Sequence, residues 1–322
     1  MLFSIVTPSY NQLDWLHLCI ASVRDQVLPA RLGSLPSTLS VEHLIQDAGT
    51  LGIEDLAREL GAEFYRDGQL IFNADVRGVG FQPTNLQSDS NKAVNYSLKI
   101  FSEKDGGMYD AVNRGFAKSK GDVLAYLNCD EQYLPEALDQ IKRFFQSRPI
   151  VEVALAGTIV TDADGEYVCH RHSLVPSAHQ IWYRFPVLTS SMFLRRSIIT
   201  ERRIHFDTKW RDLGDFHFVQ ALINKKVRMA VCDYFTSVFA DTGENMNLKP
   251  NAIQEKQRTT EMIPVVVKLL KPLWIILHRL KRLFAGHFHM KPTNYAIYTK
   301  TCLDSRSDIK VKKPTGIWWN RL

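Results

Sequence analysis

Residues 102–131 read Ser-Glu-Lys-Asp-Gly-Gly-Met-Tyr-Asp-Ala-Val-Asn-Arg-Gly-Phe-Ala-Lys-Ser-Lys-Gly-Asp-Val-Leu-Ala-Tyr-Leu-Asn-Cys-Asp-Glu. Met108, Ala111, Val112 and Phe116 fall at i, i+3, i+4 and i+8, the apolar stripe of an amphipathic helix. Gly115 is small enough to let that helix lie close to another backbone. Gly121 and Asp122 turn the chain. Residues 123–127 are then a short, nearly all-apolar run that suits a parallel strand covered on both faces. The run stops at Asn128, Cys129, Asp130 and Glu131, so polar groups collect at the carboxyl end of a strand. That edge is where open α/β sheets bind ligands. Carboxylates placed there suit a hard divalent cation that also holds a diphosphate.

These residues resemble the inverting glycosyltransferases of family 2, whose GT-A domains use nucleotide-diphosphate sugars, and in particular the branch that builds bacterial surface polysaccharides. The pattern there is approximately Ser-Glu-x-Asp-Gly-Gly-x-Tyr-Asp-Ala-x-Asn-x-Gly, a strand opened by Gly-Asp, then Asn-Ser-Asp-Asp. This chain departs from it in Cys129 for Ser and Glu131 for the second Asp, and both changes keep size or charge. The resemblance implies a Rossmann-like mixed sheet flanked by helices. It also implies that Asp130 binds Mg²⁺ or Mn²⁺, that Asn128 lies near the ribose, and that Asp105, Tyr109 and Asn113 belong to the nucleotide-sugar site.

Towards the N-terminus, residues 2–6 are a β-rich run closed by Thr7, Pro8, Ser9, Tyr10 and Asn11, where Pro8 is expected to stop the ladder. Leu13, Leu16, Ile20 and Val23 then recur at helical spacing through Gln26, giving a strand, loop and helix unit of the parallel kind. Composition alone makes Thr-Pro-Ser-Tyr a turn; the resemblance makes it the first motif, beside the base and ribose. Residues 27–40 form a loop. A second strand over 41–46 ends at Asp47, which either caps the helix expected near 52–60 or, by the resemblance, recognises the base. A third strand is expected at 64–66. From 67 to 101 the sequence is irregular, and the resemblance marks this stretch as an insertion of about 30 residues, either a lid or a disordered excursion.

Beyond the central stretch, a helix is expected over 135–146 with Leu138, Ile141, Phe144 and Phe145 inward, and a strand over 151–160. Asp162-Ala163-Asp164-Gly165 reads as a hairpin turn rather than a metal pair, and His170 and His172 read as surface residues rather than zinc ligands. Residues 189–196, Thr-Ser-Ser-Met-Phe-Leu-Arg-Arg, resemble the family's His-Gln-x-x-Phe-x-Arg-Arg without its His and Gln. Asp215 opens a helix carrying Phe218, Val219, Leu222 and Ile223. On its own it is a first-turn acid stabilised by the helix dipole; the resemblance aligns Gly214-Asp215-Phe216-His217 with Ala-Asp-Tyr-Asp and makes Asp215 the catalytic base. Closing strands are expected at 228–232 and 234–239, with a polar loop at 241–247 near the diphosphate.

The 322 residues include 45% apolar ones, enough for a large α/β domain plus an appendage, and the formal charge of +6 favours anionic partners. Five widely spaced cysteines without metal spacing fit a reducing compartment. No secretory signal is read at the start and no apolar run is long enough to span a bilayer, so a cytoplasmic protein is expected. Residues 263–322 interleave apolar residues and Trp274 with Lys268, Lys271, His278, Arg279, Lys281 and Arg282. This basic, helical tail either lies in a membrane interface at the inner face of the cell membrane or packs on the domain formed by 1–262.

The expected function is therefore transfer, with inversion, from a nucleotide-diphosphate sugar, a UDP-sugar by preference, to a glycan acceptor on a lipid carrier. The rival reading is a non-catalytic nucleotide-sugar-binding or scaffold protein. The sequence lacks the Gly-x-Gly-x-x-Gly of a dehydrogenase and the Gly-x-x-x-x-Gly-Lys-Ser/Thr of a P-loop enzyme. Nucleic acid is disfavoured as a partner, because no aromatic residues are interleaved with the basic ones on a sheet.

Overall fold

In the computed structural model, which describes residues 1–27, 39–73, 95–243 and 250–318, the strand at the centre of the sheet is β1 (Leu2–Ser9). It pairs in parallel with β2 (Ser40–Asp47) on one side. The helix α1 (Leu13–Arg24) follows β1, and α2 (Ile53–Glu59), β3 (Glu63–Arg66) and β4 (Gln69–Phe72) follow β2. β5 (Tyr96–Ser102) then inserts between β2 and β3, parallel to both. Past α3 (Met108–Lys118), β6 (Val123–Tyr126) returns to the other side of β1, also in parallel.

The second half of the sheet is mixed. β7 (Glu131–Tyr133), α4 (Ala137–Ser147), β8 (Val153–Asp162) and β9 (Tyr167–Arg171) precede β10 (Met192–Arg195), which runs antiparallel between β6 and β8. The short α5 (Ser197–Thr200) and then α6 (Gly214–Asn224) lead into β11 (Met229–Asp241), parallel to β8 and antiparallel to β7. Among the described residues these eleven strands form one sheet, β4-β3-β5-β2-β1-β6-β10-β8-β11-β7, with β9 on β8. The fold is a GT-A, Rossmann-like α/β architecture, a mixed sheet covered by helices.

Burial explains the pattern. β6 is buried at every position, as its unbroken apolar run requires. α3 turns Tyr109, Ala111, Val112, Gly115 and Phe116 inward. A Cβ on Gly115 would stand 2.4 Å from Val6 Cγ1 on β1, so the helix seats on the strand only with glycine there. α4 buries Leu138, Ile141, Phe144 and Phe145 as its periodicity predicts.

Three local expectations need correction. Pro8 does not end β1, which runs to Ser9 with Pro8 opposite Gln46. Pro8 shares parity with Val6, whose carbonyl accepts Leu127 N at the end of β6, so its missing N–H faces the side where the β6 ladder has already stopped. The stretch 67–101 contains two strands, β4 and β5; Leu98, Ile100 and Ser102 alternate inward along β5 behind a polar, glycine-rich run. The lid question falls on residues 74–94, outside the described residues. The two strands expected at 228–239 are one, β11, with register shifts between Val231 and Ser237.

α7 (Pro250–Glu261) ends the first 262 residues; the tail is helical only as far as Phe284, through α8 (Val265–Leu269) and α9 (Lys271–Phe284), and then, where helix was expected, forms a hairpin of β12 (Thr293–Thr299) and β13 (Cys302–Val311). The hairpin packs on the sheet's far end. Tyr295, Ile297 and Val311 join Leu134, Ile159 and Val238 in one apolar cluster. Gln132 and Tyr298 exchange two hydrogen bonds, Nε2 to carbonyl at 2.8 Å and N to Oε1 at 2.9 Å. Arg306 clasps both oxygens of Asp25 at 2.6 and 2.9 Å.

Candidate active site

The carboxyl ends of β1, β2, β5 and β6 open on a cleft of about 940 Å³. Pro8, Ser9 and Tyr10 line it from β1 and its loop, Asp105 and Tyr109 from the turn into α3, Asn128 and Asp130 from the end of β6, and Asp215 from α6. Residues far apart in sequence thus converge at the sheet edge predicted for ligands.

Ser9 and Tyr10 form one end of the cleft. Tyr10 is 64% exposed at the rim. The Ser9 hydroxyl is buried against Cys129 and finds no hydrogen-bond partner of ordinary geometry among the described residues. A buried hydroxyl left without a partner costs free energy unless something enters to meet it. Thr7 is not in the cleft: fully buried, it bonds His43 Nε2 at 2.9 Å.

Asp47 stands where the sequence placed it, at the end of β2, but its carboxylate is consumed locally. Oδ2 accepts from Gly49 N at 2.9 Å, Thr50 N at 2.8 Å and Ser102 Oγ at 3.2 Å, and Oδ1 accepts from Thr50 Oγ1 at 2.6 Å. With four donors on a buried carboxylate, the capping role describes this geometry, and contact with a base would require some of these bonds to break. Asp47 shapes the loop whose Ala48 and Gly49 line the cleft.

The loop of residues 102–107 crosses from β5 to α3. Asp105 Oδ1 accepts from Gly107 N at 2.8 Å, and Gly107, at φ +119°, takes a conformation that side chains disfavour. Burial raises the Asp105 carboxyl above its ordinary value, offset in part by the Gly107 N–H. Asn113, by contrast, points away from the cleft. It exchanges hydrogen bonds with the backbone of Phe206, Nδ2 to O at 2.8 Å and N to Oδ1 at 3.0 Å, and so holds the segment leading to α6.

Two acids sit side by side at the end of β6. Glu131 turns inward and accepts Asn128 N at 2.7 Å; burial, then the neighbouring Asp130, push its carboxyl well above the usual range. Asp130 faces the cleft with no side-chain partner among the described residues, and burial pushes it up to about 6. No three His, Cys, Asp or Glu side chains among the described residues are grouped to hold an ion. A hard cation bound together with substrate phosphates needs one or two carboxylates and keeps water elsewhere. The donor set fits that mode: Asp130 supplies a carboxylate whose buried charge a cation would relieve, and Glu131 backs it. Arg66, Lys104 and Arg211 line the same cleft and suit phosphate oxygens.

Asp215 lies in the first turn of α6, held by groups from three other elements. Its Oδ1 accepts from Tyr126 Oη at 2.6 Å and its Oδ2 from Thr189 Oγ1 at 3.2 Å, while its own N–H donates to Tyr109 Oη at 3.2 Å. Burial raises the carboxyl, and the hydroxyls of Tyr126, Tyr109 and Thr189 lower it. The balance is a raised carboxylate in a fixed orientation, suited to accept a proton. Gly214 is part of this seat, since a Cβ there would lie 2.5 Å from the Tyr109 ring.

Tyr126 and Thr189 were missed as site residues. Tyr126 is hidden in the apolar run of β6, and Thr189 occupies the position of the absent family His. Trp318 was also missed. Its Nε1 donates to Asp241 Oδ2 at 3.0 Å and its ring meets Phe239 edge-on, so the tail contributes to the cleft wall. Asp162 holds a turn, accepting Asp164 N and Glu166 N. His170 and His172 are not surface residues: they pack with His287, ring centroids of His172 and His287 being 4.7 Å apart.

Residues 92–229 match the model described as Glycosyl transferase family 2. No curated protein sequence matches the chain significantly. Among solved structures, S. aureus TarS 1–349 in complex with UDP-GlcNAc superposes with a TM-score of 0.54 at 15% identity, over 82% of this chain and 65% of that one. The complex of TarS 1–349 with UDP gives 0.50 at 16% identity, over 81% and 64%. The longer S. aureus TarS structure gives 0.52 at 13% identity, over 97% and 60%. The chain thus spans between 60% and 65% of the length of these structures, and at such identities the likeness is one of fold.

Proposed function

We propose, from the match of residues 92–229 to the glycosyl transferase family 2 model and from the GT-A fold, that the protein is an inverting glycosyltransferase with Asp215 as its base. The observation that carries the proposal is the seat of Asp215: a carboxylate raised by burial and fixed by three hydroxyls, in the cleft that Asp130 also faces. In the reaction, Asp215 accepts the proton of an acceptor hydroxyl as its oxygen forms the new bond to the anomeric carbon. The bond from that carbon to the diphosphate breaks, and a single displacement inverts the centre.

The remaining residues bind and orient. Ser9, Tyr10 and Pro8 receive the base and ribose with Asn128 alongside, and the Ser9 hydroxyl gains the partner it lacks. Asp105 and Tyr109 face the sugar, while Thr7, Asp47 and Asn113 hold the surrounding loops. Asp130, with Glu131 behind it, would hold Mg²⁺ or Mn²⁺. Such an ion would offset the charge developing on the leaving diphosphate. The two TarS complexes, one with UDP-GlcNAc and one with UDP, make a UDP-sugar the first donor to try. The acceptor in this reading is a glycan on a lipid carrier, in surface polysaccharide synthesis at the cytoplasmic face of the membrane.

The test is a screen of nucleotide sugars with Mn²⁺ for thermal stabilisation and for release of the nucleoside diphosphate. Stabilisation together with slow hydrolysis by at least one donor is expected. Stabilisation with no turnover under any condition would favour the non-catalytic binding protein, and neither would remove the proposal.

A further inference from the structure

Between Glu261 and Asp304 the chain carries seven Lys and Arg and no acid. This run contains α8 and α9, and its apolar residues are divided between two faces. On the inner face Trp274 stacks on His179 at 4.7 Å, Tyr183 Oη donates to Val267 O at 3.2 Å, and His278 is buried. On the outer face Leu273, Ile276, Leu280, Leu283 and Phe284 fall at i, i+3, i+7, i+10 and i+11, a stripe about 100° wide. They are 40% to 85% exposed. Val265 and Leu269 of α8 add 71% and 75% exposed neighbours. Arg279 and Lys281 border the stripe on either side, and Lys268 is exposed beside it.

We propose that the outer face of α8 and α9 docks on an anionic bilayer surface, apolar side chains among the acyl chains and lysines and arginines at the headgroups. Contiguous apolar surface of this kind on a soluble fold marks an interaction site, and cations flanking an apolar stripe with no acid nearby complement an anionic lipid surface. No helix among the described residues is long and apolar enough to cross a membrane, so the contact is interfacial. A second copy of the chain fits less well. Within α9 the stripe runs only from Leu273 to Phe284, less than two heptads, after Pro272 at the start of the helix, short of the three to four heptads of a coiled coil, and a twin helix would bring like charges together.

The face is coupled to the cleft. α9 rests on the turn Gln180–Trp182, and Trp182 and Phe185 pack on Phe216, the residue after Asp215, at 5.3 and 6.3 Å between ring centroids. Docking would therefore set the height of the base above the lipid. Only this last consequence rests on the transferase reading; the docking itself does not.

The test is co-sedimentation of the full chain with phosphatidylglycerol vesicles and with phosphatidylcholine vesicles, read without donor. Binding to phosphatidylglycerol is expected, weakening as salt rises, with affinity lower by about fivefold per charge in Arg279→Ala and Lys281→Ala. Ile276→Glu with Leu280→Glu, both on the exposed face and so compatible with folding, should lower it at least tenfold while leaving donor hydrolysis in solution unchanged. Three results would overturn the proposal: no sedimentation of the parent, equal sedimentation of the double variant, or a parent dimer that the double variant makes monomeric while neither binds vesicles. A chain that binds but never turns over donor would sink the transferase reading and leave the docking face intact.

Discussion

Replacing Asp215 by Asn separates what its carboxylate does from what its shape does. The amide keeps the size of the side chain and an oxygen for the Tyr126 hydroxyl, and its NH₂ can donate to the Thr189 oxygen, which accepts as readily as it donates. The seat should therefore survive. What is lost is the capacity to take a proton, worth roughly 10²-fold or more in rate, or about 2.7 kcal/mol of barrier. Stability should move the other way. Burial raises the folded-state pKa above the unfolded one, so the stability linked to the protonated acid is present at low pH and is lost as pH rises through the folded value. Above the raised value the parent carries an ionised, buried carboxylate that the variant does not. The melting temperature of Asp215→Asn above the raised value should be no lower than the parent's, the advantage shrinking as pH falls from the raised folded value towards the ordinary carboxylate value. Release of nucleoside diphosphate from the best donor, with thermal melts across pH, measures both. A variant that turns over within about threefold of the parent, against the roughly 10²-fold loss expected for a base, would refute the assignment, and Asp212, also in the cleft, would be tested next. A collapse in melting temperature would make Asp215 a structural anchor instead.

Two further outcomes are expected. Asp130→Ala should abolish the Mn²⁺-dependent part of donor stabilisation, as EDTA does to the parent. Because burial holds Asp130 near about 6, the metal-free parent should lose stability as pH rises through that value and regain it with Mn²⁺ and donor; thermal shift that ignores both EDTA and the substitution would end the metal assignment. Gly115→Ala forces a Cβ to within 2.4 Å of Val6 and should cost about 1–3 kcal/mol in chemical denaturation, partly recovered by Val6→Ala; an unchanged midpoint would mean that α3 can lift off β1 freely.

The elements legible in the sequence were those whose signal is local. α4 and β6 each carry a period or an unbroken apolar run that burial reproduces, and in α3 Ala111, Val112 and Phe116 turn inward as expected while Tyr109 takes the buried place expected of Met108. β5 carries its period too, but behind a stretch without one, and its place between β2 and β3 depends on pairing across tens of residues. The site divides in the same way. Asp130 and Asp215 were readable because each ends or begins an element. Tyr126 and Thr189 were not, because a tyrosine in an apolar run shows its hydrogen bond only once α6 has been laid across the sheet. Asp47 was readable as a position, and three of its four donors lie two and three residues on, the local pattern of the capping alternative; only the Ser102 hydroxyl comes from a distant strand.

The clasp of Arg306 on Asp25 joins residues 281 positions apart, and Tyr298 adds its hydroxyl to the same carboxylate at 3.1 Å. During synthesis, at roughly 5–20 residues per second, α1 leaves the ribosome many seconds before its partner exists. Gln132 waits likewise for Tyr298. The parallel half of the sheet can assemble early, yet the far edge of β7 and β11 is covered only when the hairpin arrives. Until then Leu134 and Val238 lack part of their cluster, and the nascent chain offers an apolar edge to whatever chaperone meets it first.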